Sequence, residues 1–320
     1  MKVLKKILKI VLIIVLVLLV LWGVANLAKF VIYPDYMQQR QNVCSIPDLN
    51  NGFIPQGITY DAESNSYIMS GYMGDGVALY VVTDSGYKEV KLLTADGKPF
   101  EGHGGGVTAV GKYVYVADGG CLTAFNIADI RANETATAVK EIKVDNSASY
   151  VSSDENYVYV GEFYRAGNYE TEESHYFTTP EGEENKAIVS AYKVEADGEI
   201  NAATPEFSVS LPSLVQGFAM KDGVAILSRS WGLSSSKIEF YGEIENSGKT
   251  ISASGKEVPL YYVGSKNLIK SVDAPFFSED ITVVGDRVVI NFESATNKYI
   301  IGKLFFATHA TSYPIPSLNK

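Results

Sequence analysis

Four acidic residues are the first candidates for chemistry, because they flank short apolar strands at matching positions along the chain. They are Asp118, Glu279, Asp280 and Glu293. Carboxylate oxygens are the ligands that Ca²⁺ prefers, and the ion takes about six to eight of them. Crowded carboxylates repel one another unless a metal ion, a cation such as Arg229 or bound protons offset the charge. These four acids are therefore our candidate Ca²⁺ ligands, and Ca²⁺ is the only cofactor that the sequence suggests.

His103 is the candidate catalytic residue. Gly102 precedes it and three glycines follow it, so little side-chain bulk surrounds the imidazole. A histidine beside carboxylates can act as a general base or as a metal ligand near neutral pH. The structural alternative is a core histidine that is bonded to a backbone carbonyl. We assign no role to His175 or His309.

A group of polar and aromatic residues occupies the same two kinds of position, just before a first strand or just after a second strand. Such convergent groups beside an apolar wall are typical of ligand pockets. We predict that the following residues bind a ligand: Gln56, Tyr72, Glu162, Gln216, Arg229 and Trp231. Trp231 is the aromatic residue best suited to stack on a sugar ring. The alternative is that the two glutamines only fill a channel, since each precedes a glycine that marks close backbone approach.

A repeated pair of strands must position these residues. A short strand, a tight polar turn and a more hydrophobic strand recur five times, over residues 57–70, 106–118, 150–162, 217–228 and 280–293. Gly, Asp and Asn in the turns supply the positive φ that tight hairpins need. Further strands follow each pair, as at residues 78–83, 87–93, 122–126, 138–144, 188–194 and 206–211. The pattern predicts an all-β protein.

Repeating groups of four antiparallel strands favour a β-propeller, because one such sheet cannot bury both of its faces alone. We predict five blades, with a sixth, degenerate blade as the alternative. The last repeat runs out of strands after residues 303–308, so residues 42–47 are expected to supply the missing strand. Residues 165–186, rich in Glu, Gly and Thr, are expected to form a surface insertion in the third blade.

The N-terminus predicts a membrane anchor. Residues 10–28 are apolar except Asn26, which is enough to cross a bilayer core as a helix. Four lysines precede this run and no acid precedes Asp35, so the N-terminus is expected in the cytoplasm and the rest outside. We divide the chain into an anchor (1–33), a short linker (34–41) and an extracytoplasmic propeller (42–320). A signal peptide cleaved near residue 25 is the alternative.

The charge and the cysteines set further limits. Five of the 27 basic residues and none of the 37 acidic residues lie in the anchor, which leaves the remainder with a formal charge of −15. This acidic surface opposes binding to nucleic acid. Cys44 and Cys121 permit one disulfide in an oxidising compartment, and two buried thiols are the alternative.

Several segments resemble those of secreted or membrane-anchored β-propeller proteins of Gram-positive bacteria, most of which have no established function. The segments are Ile54–Tyr60, His103–Gly106, Val215–Phe218, Phe292–Ala295 and Lys298–Tyr299. The resemblance covers about residues 44 to 310. It implies the propeller fold and the location, and it carries over no catalytic residue.

Two functions compete. The first is a binding module that recognises a glycan, a peptide or another envelope component at the mouth of the central channel. The alternative is a metal-assisted hydrolase, lactonase or lyase that uses His103 as its base and the acids as metal ligands. The chain contains no complete Gly-x-Ser-x-Gly or His-Glu-x-x-His motif. The sequence therefore leaves open whether the protein is an enzyme.

Overall fold

A computed structural model describes residues 2–200, 204–299, 302–304 and 307–318, and it is mostly β. Its helices are α1 (Lys2–Ile32), α2 (Pro34–Gln39) and α3 (Ile127–Ala132), with short 3₁₀ turns at Glu173–His175, Ala196–Gly198, Ser265–Asn267 and Gly302–Leu304. The strands are β1 (Gln41–Ser45), β2 (Ile54–Asp61), β3 (Ser66–Met73), β4 (Gly76–Thr83), β5 (Gly86–Leu93), β6 (Gly106–Val110), β7 (Tyr113–Asp118), β8 (Cys121–Asn126), β9 (Thr135–Lys143), β10 (Tyr150–Ser153), β11 (Tyr157–Gly161), β12 (Phe177–Thr178), β13 (Glu184–Asn185), β14 (Ala187–Lys193), β15 (Phe207–Leu211), β16 (Val215–Lys221), β17 (Val224–Arg229), β18 (Ser236–Tyr241), β19 (Glu245–Ala253), β20 (Lys256–Tyr262), β21 (Leu268–Ala274), β22 (Ser278–Val284), β23 (Arg287–Phe292) and β24 (His309–Pro314).

The five predicted hairpins are confirmed. They are β2–β3, β6–β7, β10–β11, β16–β17 and β22–β23, each antiparallel. Each hairpin gains a third and a fourth antiparallel strand, and we call these groups units 1 to 5. The units are β2–β3–β4–β5, β6–β7–β8–β9, β10–β11–β14–β15, β16–β17–β18–β21 and β22–β23–β24–β1.

Parallel pairing at the outer edges joins some units. Strand β5 pairs with β9, which merges units 1 and 2 into one eight-stranded sheet. Because β2 also contacts β6, this sheet is nearly closed on itself. The extra residues of the fourth repeat form the hairpin β19–β20, which pairs with β15 and extends unit 3 to six strands. The insertion in unit 3 holds the small hairpin β12–β13.

The first strands of the five units are neighbours in space. They contact one another in the order β2, β6, β10, β16 and β22, and β22 contacts β2 again. Apolar side chains fill the spaces between successive units. For example, Ile58, Met69 and Tyr80 of unit 1 pack in one cluster with Ile281 and Ile290 of unit 5. Each unit thus buries both of its faces against its two neighbours.

The expected pairing of the segment after the anchor with the end of the chain is confirmed. Strand β1 pairs with β24, with Gln41 opposite Ser312 and Ser45 opposite His309. The expected strand at residues 303–308 is wrong in position. Residues 302–304 form a 3₁₀ turn, residues 305 and 306 lie outside the described part of the chain, and the strand begins at His309.

The segment that we treated as a linker is helical and packed. Tyr36 of α2 is 1% exposed. Its ring lies 6.1 Å from that of Tyr313 and 6.4 Å from that of Phe292, and its hydroxyl is hydrogen-bonded to Thr311. Asp35 of the same helix pairs with Lys270 at 2.9 Å. The chain between the apolar helix and the first strand therefore belongs to the core.

Helix α1 is long and apolar enough to span a membrane. Its apolar side chains are largely exposed, as at Leu12, Ile13 and Leu16. Cys44 and Cys121 are both free thiols, so the structure contains two thiols and no bridge between these residues. Burial raises the pKa of Cys44 to about 12, which makes this thiol a weak nucleophile.

Replacing Tyr36 with alanine removes a ring that packs α2 against unit 5. We expect the free energy of unfolding to fall by about 3 to 5 kcal/mol, the usual cost of deleting a buried aromatic ring. Tyr36→Phe keeps the ring but removes the hydroxyl partner of Thr311, so a loss of about 1 kcal/mol is expected. Denaturant unfolding of the full chain in detergent measures both changes.

Val139→Ala is the control, because Val139 lies on the outer strand β9 and is 47% exposed. This variant should stay within about 0.5 kcal/mol of the parent. If Tyr36→Ala were as stable as Val139→Ala, α2 would not contribute to the core.

Candidate functional site

β-Bulges place several of the predicted site residues. In three first strands the ladder skips residues near its start, and the skipped positions are Gln56 in β2, Gln216 in β16 and Glu279 with Asp280 in β22. A bulge adds a residue on one strand, bends it and redirects the side chain. The same irregularity at the start of three strands therefore turns polar side chains off the regular ladder at equivalent points.

One cavity of about 580 Å³ gathers most of the predicted residues. Eight of the eleven line it, namely Gln56, Tyr72, His103, Asp118, Gln216, Trp231, Glu279 and Glu293. They come from four of the five units, and Ser147 and Ser149 beside β10 add the remaining unit. Whether these residues bind a ligand stays a prediction, but they surround one space.

The floor of the cavity is a pair of buried carboxyl groups. Glu279 is 4% exposed and Glu293 is 7% exposed. The two side chains are hydrogen-bonded to each other, and Gln56 Nε2 donates to Glu293 Oε2 at 3.2 Å. Two carboxyl groups that are hydrogen-bonded to each other cannot both ionise without an offsetting charge.

Burial raises the pKa of both groups. It raises the pKa of Glu279 well above its ordinary value, and the charge of Glu293 raises it further. Burial raises the pKa of Glu293 to about 7, although Lys298 and hydrogen bonds from Tyr299, Glu279 and Gln56 oppose this. Near neutral pH Glu279 therefore keeps a proton and donates it in a hydrogen bond to Glu293.

Lys298 supplies the positive charge beside this pair. Its ammonium group donates to the hydroxyl of Tyr72 and lies 5.2 Å and 5.1 Å from the ring centres of Tyr72 and Tyr299. Burial lowers the pKa of Lys298, but the hydrogen bonds to both tyrosines and their charge interactions raise it overall. The lysine therefore remains charged and fixed between two aromatic rings.

His103 forms part of the wall. Its ring centre lies 4.4 Å from that of Tyr72. Asp118 Oδ1 accepts hydrogen bonds from the backbone N–H groups of His103 at 2.7 Å and Gly104 at 3.2 Å, so this carboxylate holds the glycine-rich loop in place. The ring is open to the cavity. Burial against the surrounding walls lowers the pKa of His103, and the charge of Lys298 lowers it further. The charge of Asp118 raises this pKa, but the net change is a decrease. The imidazole is therefore neutral near pH 7.

Three aromatic rings form another part of the wall, which we call the aromatic shelf (Phe163, Tyr169 and Trp231). The ring centre of Trp231 lies 5.8 Å from Phe163 and 5.9 Å from Tyr169. The guanidinium of Arg165 lies 4.2 Å from the centre of the Trp231 ring. Trp231 is 37% exposed and Tyr169 is 52% exposed, so ring surface remains available in the cavity.

Two predicted ligand-binding residues lie elsewhere. Glu162 is buried and bonded to His175 Nδ1 at 3.0 Å, and it also accepts from the backbone of Ile188. Arg229 donates to both oxygens of Glu239, at 3.0 and 2.9 Å, and to the carbonyl of Ser213. Each of the two charged groups is thus already satisfied in a local pair of its own.

Three of the four candidate Ca²⁺ ligands line the cavity, whereas Asp280 does not. Asp118 holds the glycine loop, Glu279 and Glu293 share a proton, and Asp280 is fully buried. Asp280 Oδ1 accepts from the N–H of Ile281, and burial raises the pKa of this carboxyl well above its ordinary value. Across residues 2–200, 204–299, 302–304 and 307–318, no three His, Cys, Asp or Glu side chains are arranged to hold a metal ion.

The cavity residues that were not predicted include the aromatic and basic side chains of Phe163, Tyr169, Lys298 and Tyr299. Lys298 and Tyr299 follow the second strand of unit 5 by only a few residues, so their position in the repeat was a usable signal. Tyr169 lies in the insertion that was expected to be a plain surface loop. Nothing in the repeat pattern predicts that this insertion folds back toward the cavity.

Helix α1 ends close to segments that neighbour the cavity residues. Ser235 Oγ donates to the hydroxyl of Tyr33 at 3.4 Å, and Ser235 follows Trp231 by four residues. Helix α1 also contacts the 3₁₀ turn Gly302–Leu304, which follows Tyr299. Two segments next to cavity residues therefore contact the C-terminal part of the chain's first helical region.

No family model matches this sequence, and no curated protein matches it. Among solved structures, a luciferin-regenerating enzyme is 10% identical, with a TM-score of 0.43, 87% of this chain covered and 96% of that one. The computationally designed Ika8 protein is 11% identical, with a TM-score of 0.32 and coverage of 82% and 58%. Hsv2 from Kluyveromyces lactis is 10% identical, with a TM-score of 0.32 and coverage of 76% and 58%. The chain thus spans just over half the length of the last two, and likenesses this distant carry no argument about function.

The carboxyl pair predicts a pH dependence of stability. Folding raises the pKa of both glutamates above the unfolded value of about 4.3, and it raises the pKa of Glu293 to about 7. The stabilisation from Glu293 is therefore fully present below about pH 4.3 and is lost as the pH rises through about 7. We expect the free energy of unfolding to fall between pH 5 and pH 8. Glu293→Gln should reduce the fall by on the order of 1 to 3 kcal/mol, because the amide cannot ionise.

Glu206→Gln serves as the matched control, since Glu206 is exposed and remote from the cavity. Its unfolding profile against pH should follow that of the parent. A parent profile that is flat between pH 5 and pH 8, or one that Glu293→Gln leaves unchanged, would contradict the shared proton.

Proposed function

We propose that this protein is a membrane-anchored, extracytoplasmic, five-bladed β-propeller that binds a glycan of the cell envelope at the mouth of its central channel. The observation that carries the proposal is that eight residues, chosen by their place in the repeat, line one open cavity. A channel that was merely filled would leave no space among them. Here polar groups, a charged lysine and exposed aromatic rings surround a volume of about 580 Å³.

Three features support the five-bladed propeller. Each unit has four antiparallel strands, the first strands meet in a closed order, and β1 pairs with β24. The surplus residues of the third and fourth repeats form two hairpins, β12–β13 and β19–β20, which lie outside the five units. A sixth blade would need those residues for a four-stranded sheet of its own.

The membrane part of the proposal rests on α1 and on its charges. The helix is apolar, four lysines lie at its N-terminal end, and the first acid of the chain is Asp35, beyond its C-terminal end. Such lysines favour the cytoplasmic side. The domain would then lie outside, with segments next to its cavity near the membrane surface from which α1 emerges.

The composition of the cavity supports a glycan. The aromatic shelf offers exposed ring surface of Trp231 and Tyr169, which the apolar face of a sugar can contact. The floor and walls offer carboxyl, amide, hydroxyl and ammonium groups, which donate and accept hydrogen bonds as sugar hydroxyls require. A purely apolar ligand would make no use of the remaining hydrogen-bonding capacity of these groups.

Catalysis at the same floor is the second candidate. Glu293 has a pKa raised to about 7, which suits a general acid or base at neutral pH. The neutral His103 lies in the same cavity and could accept a proton. In this catalytic proposal the pair Glu279 and Glu293 supplies the chemistry that the sequence had suggested for a metal ion. Release of smaller saccharides from a bound glycan, followed by mass spectrometry, distinguishes catalysis from binding alone.

Removing the shelf or the floor should weaken binding of soluble peptidoglycan fragments. Trp231→Ala deletes the tryptophan face in the cavity, and Gln56→Ala deletes the amide that contacts Glu293. We expect each substitution to raise the dissociation constant by roughly 10 to 100-fold, the range for a central contact residue. Calorimetric titration of the full chain measures this, in a detergent without a sugar headgroup so that the detergent does not compete.

Tyr87→Ala is the control, because Tyr87 is a 52% exposed aromatic residue on β5 that does not line the cavity. It should bind like the parent. Absence of saturable binding, or equal affinity of all four proteins, would refute the glycan proposal. If the free peptide stems alone saturate the protein, the ligand is a peptide and not a glycan.

Membrane insertion is tested separately. We expect the full chain to remain in the membrane pellet after alkaline extraction, because about 19 apolar residues bury their surface in lipid. Protease added to intact spheroplasts should digest a C-terminal epitope tag while a cytosolic marker survives. A chain without residues 2–32 should be released as soluble protein. A mature N-terminus near residue 26, found by mass spectrometry, would instead establish a cleaved signal peptide.

A further inference from the structure

A second, smaller cavity lies where the membrane helix meets the β domain. Its volume is about 170 Å³. It is bounded by the last turn of α1, by α2 and by residues of β1 and β24. Its polar lining consists of Lys29, Arg40, Asn42, Thr308, His309 and Thr311. Apolar side chains, including those of Met37 and Phe292, form the rest of the lining. The cavity thus combines an apolar surface with several hydrogen-bond donors.

The charge of this lining is opposite to that of the domain. Residues 34–320 carry 37 acids against 22 basic residues, yet no acid lines this cavity within the described part of the chain. The nearest acid of α2, Asp35, pairs with Lys270 at 2.9 Å. Arg40 Nη1 donates to Asn42 Oδ1 at 2.6 Å, which positions the guanidinium at the cavity. Two half-buried cations therefore line one small space.

The position of the cavity indicates the kind of anion. Lys29 lies in the last turn of the apolar helix, which ends at Ile32. If α1 crosses the bilayer, this turn lies at the level of the lipid headgroups, where basic residues meet lipid phosphates. A guanidinium offers paired N–H donors that match phosphate oxygens, and an ammonium adds a compact charge.

We infer that this cavity binds the phosphate group of an anionic phospholipid. Lys29 and Arg40 supply the charges, Asn42, Thr308 and Thr311 supply further hydrogen bonds, and the apolar lining receives the first carbons of the lipid. The inference goes beyond the glycan cavity and does not depend on it. It rests only on the membrane part of the proposed function. A bound headgroup would hold α1 and the β domain in one relative orientation at the bilayer surface.

Native mass spectrometry of the full chain in a zwitterionic detergent tests the inference. Phosphatidylglycerol and phosphatidylcholine with the same acyl chains are added separately, and bound lipid is counted. We expect phosphatidylglycerol to be retained more strongly. Arg40→Gln and Lys29→Gln should each reduce its retention about fivefold, the effect of one interfacial basic charge. Lys29→Gln keeps the test valid if Arg40→Gln fails to fold, because Lys29 lies on α1 outside the β domain.

Lys112→Gln is the matched control, because it removes one charge at a site that is 51% exposed and paired with Asp197. It should retain lipid like the parent. Equal retention of the two lipids, or parent-like retention by both cavity variants, overturns the inference. Inorganic phosphate that displaces phosphatidylglycerol only at large excess supports it. Phosphate that binds as tightly as the lipid, and is lost in Arg40→Gln, overturns the lipid as the source. Membrane extraction of the same variants shows separately whether the anchor still inserts.

Discussion

The structure depends on the pairing of β1 with β24. A four-stranded sheet exposes two apolar faces, so each unit is stable only between two neighbours, and unit 5 lacks a fourth strand of its own. Strand β1, which follows α1 and α2 in the chain, supplies that strand. The same pairing places α2 against the core, because Tyr36 then lies against Tyr313 and Phe292. Closure of the sheets and attachment of the N-terminal helices are thus one interaction.

The pairing of β1 with β24 also explains why Glu279 and Glu293 can be buried at the floor of the larger cavity. The bulge in β22 removes Glu279 from the ladder and turns it toward Glu293, which follows β23 of the same unit. Burying two separate carboxylates would cost several kcal/mol each. Sharing one proton, with Lys298 nearby, removes most of that cost. The site therefore needs the fifth unit to be complete, and this unit is completed from the other end of the chain.

Most of the fold was predictable from sequence because hairpins are local: their turn residues and alternation lie within about fifteen residues. The ends of the hairpin strands were predictable too, and they located eight of the nineteen residues that line the larger cavity. The failures are non-local. Glu162 is hydrogen-bonded to His175, which lies in the insertion, and Arg229 is hydrogen-bonded to Glu239 on the next strand. Position in a repeat does not specify a partner, because a charged side chain bonds to whichever polar group the rest of the fold places beside it. The helical packing of Tyr36 was missed for the same reason, since its partners lie near the other end of the chain.

The two cavities share one segment of chain, and this limits how each can vary. Phe292 lines the smaller cavity and the next residue, Glu293, lines the larger one, as expected where successive side chains of an extended strand point to opposite sides. Further along, Lys298 and Tyr299 line the larger cavity, while residues 307–309 line the smaller one. A shift of one residue in β23 would place an acid beside the basic cavity and a phenyl ring at the glutamate floor. The register of a single strand therefore maintains both the acidic character of one site and the basic character of the other.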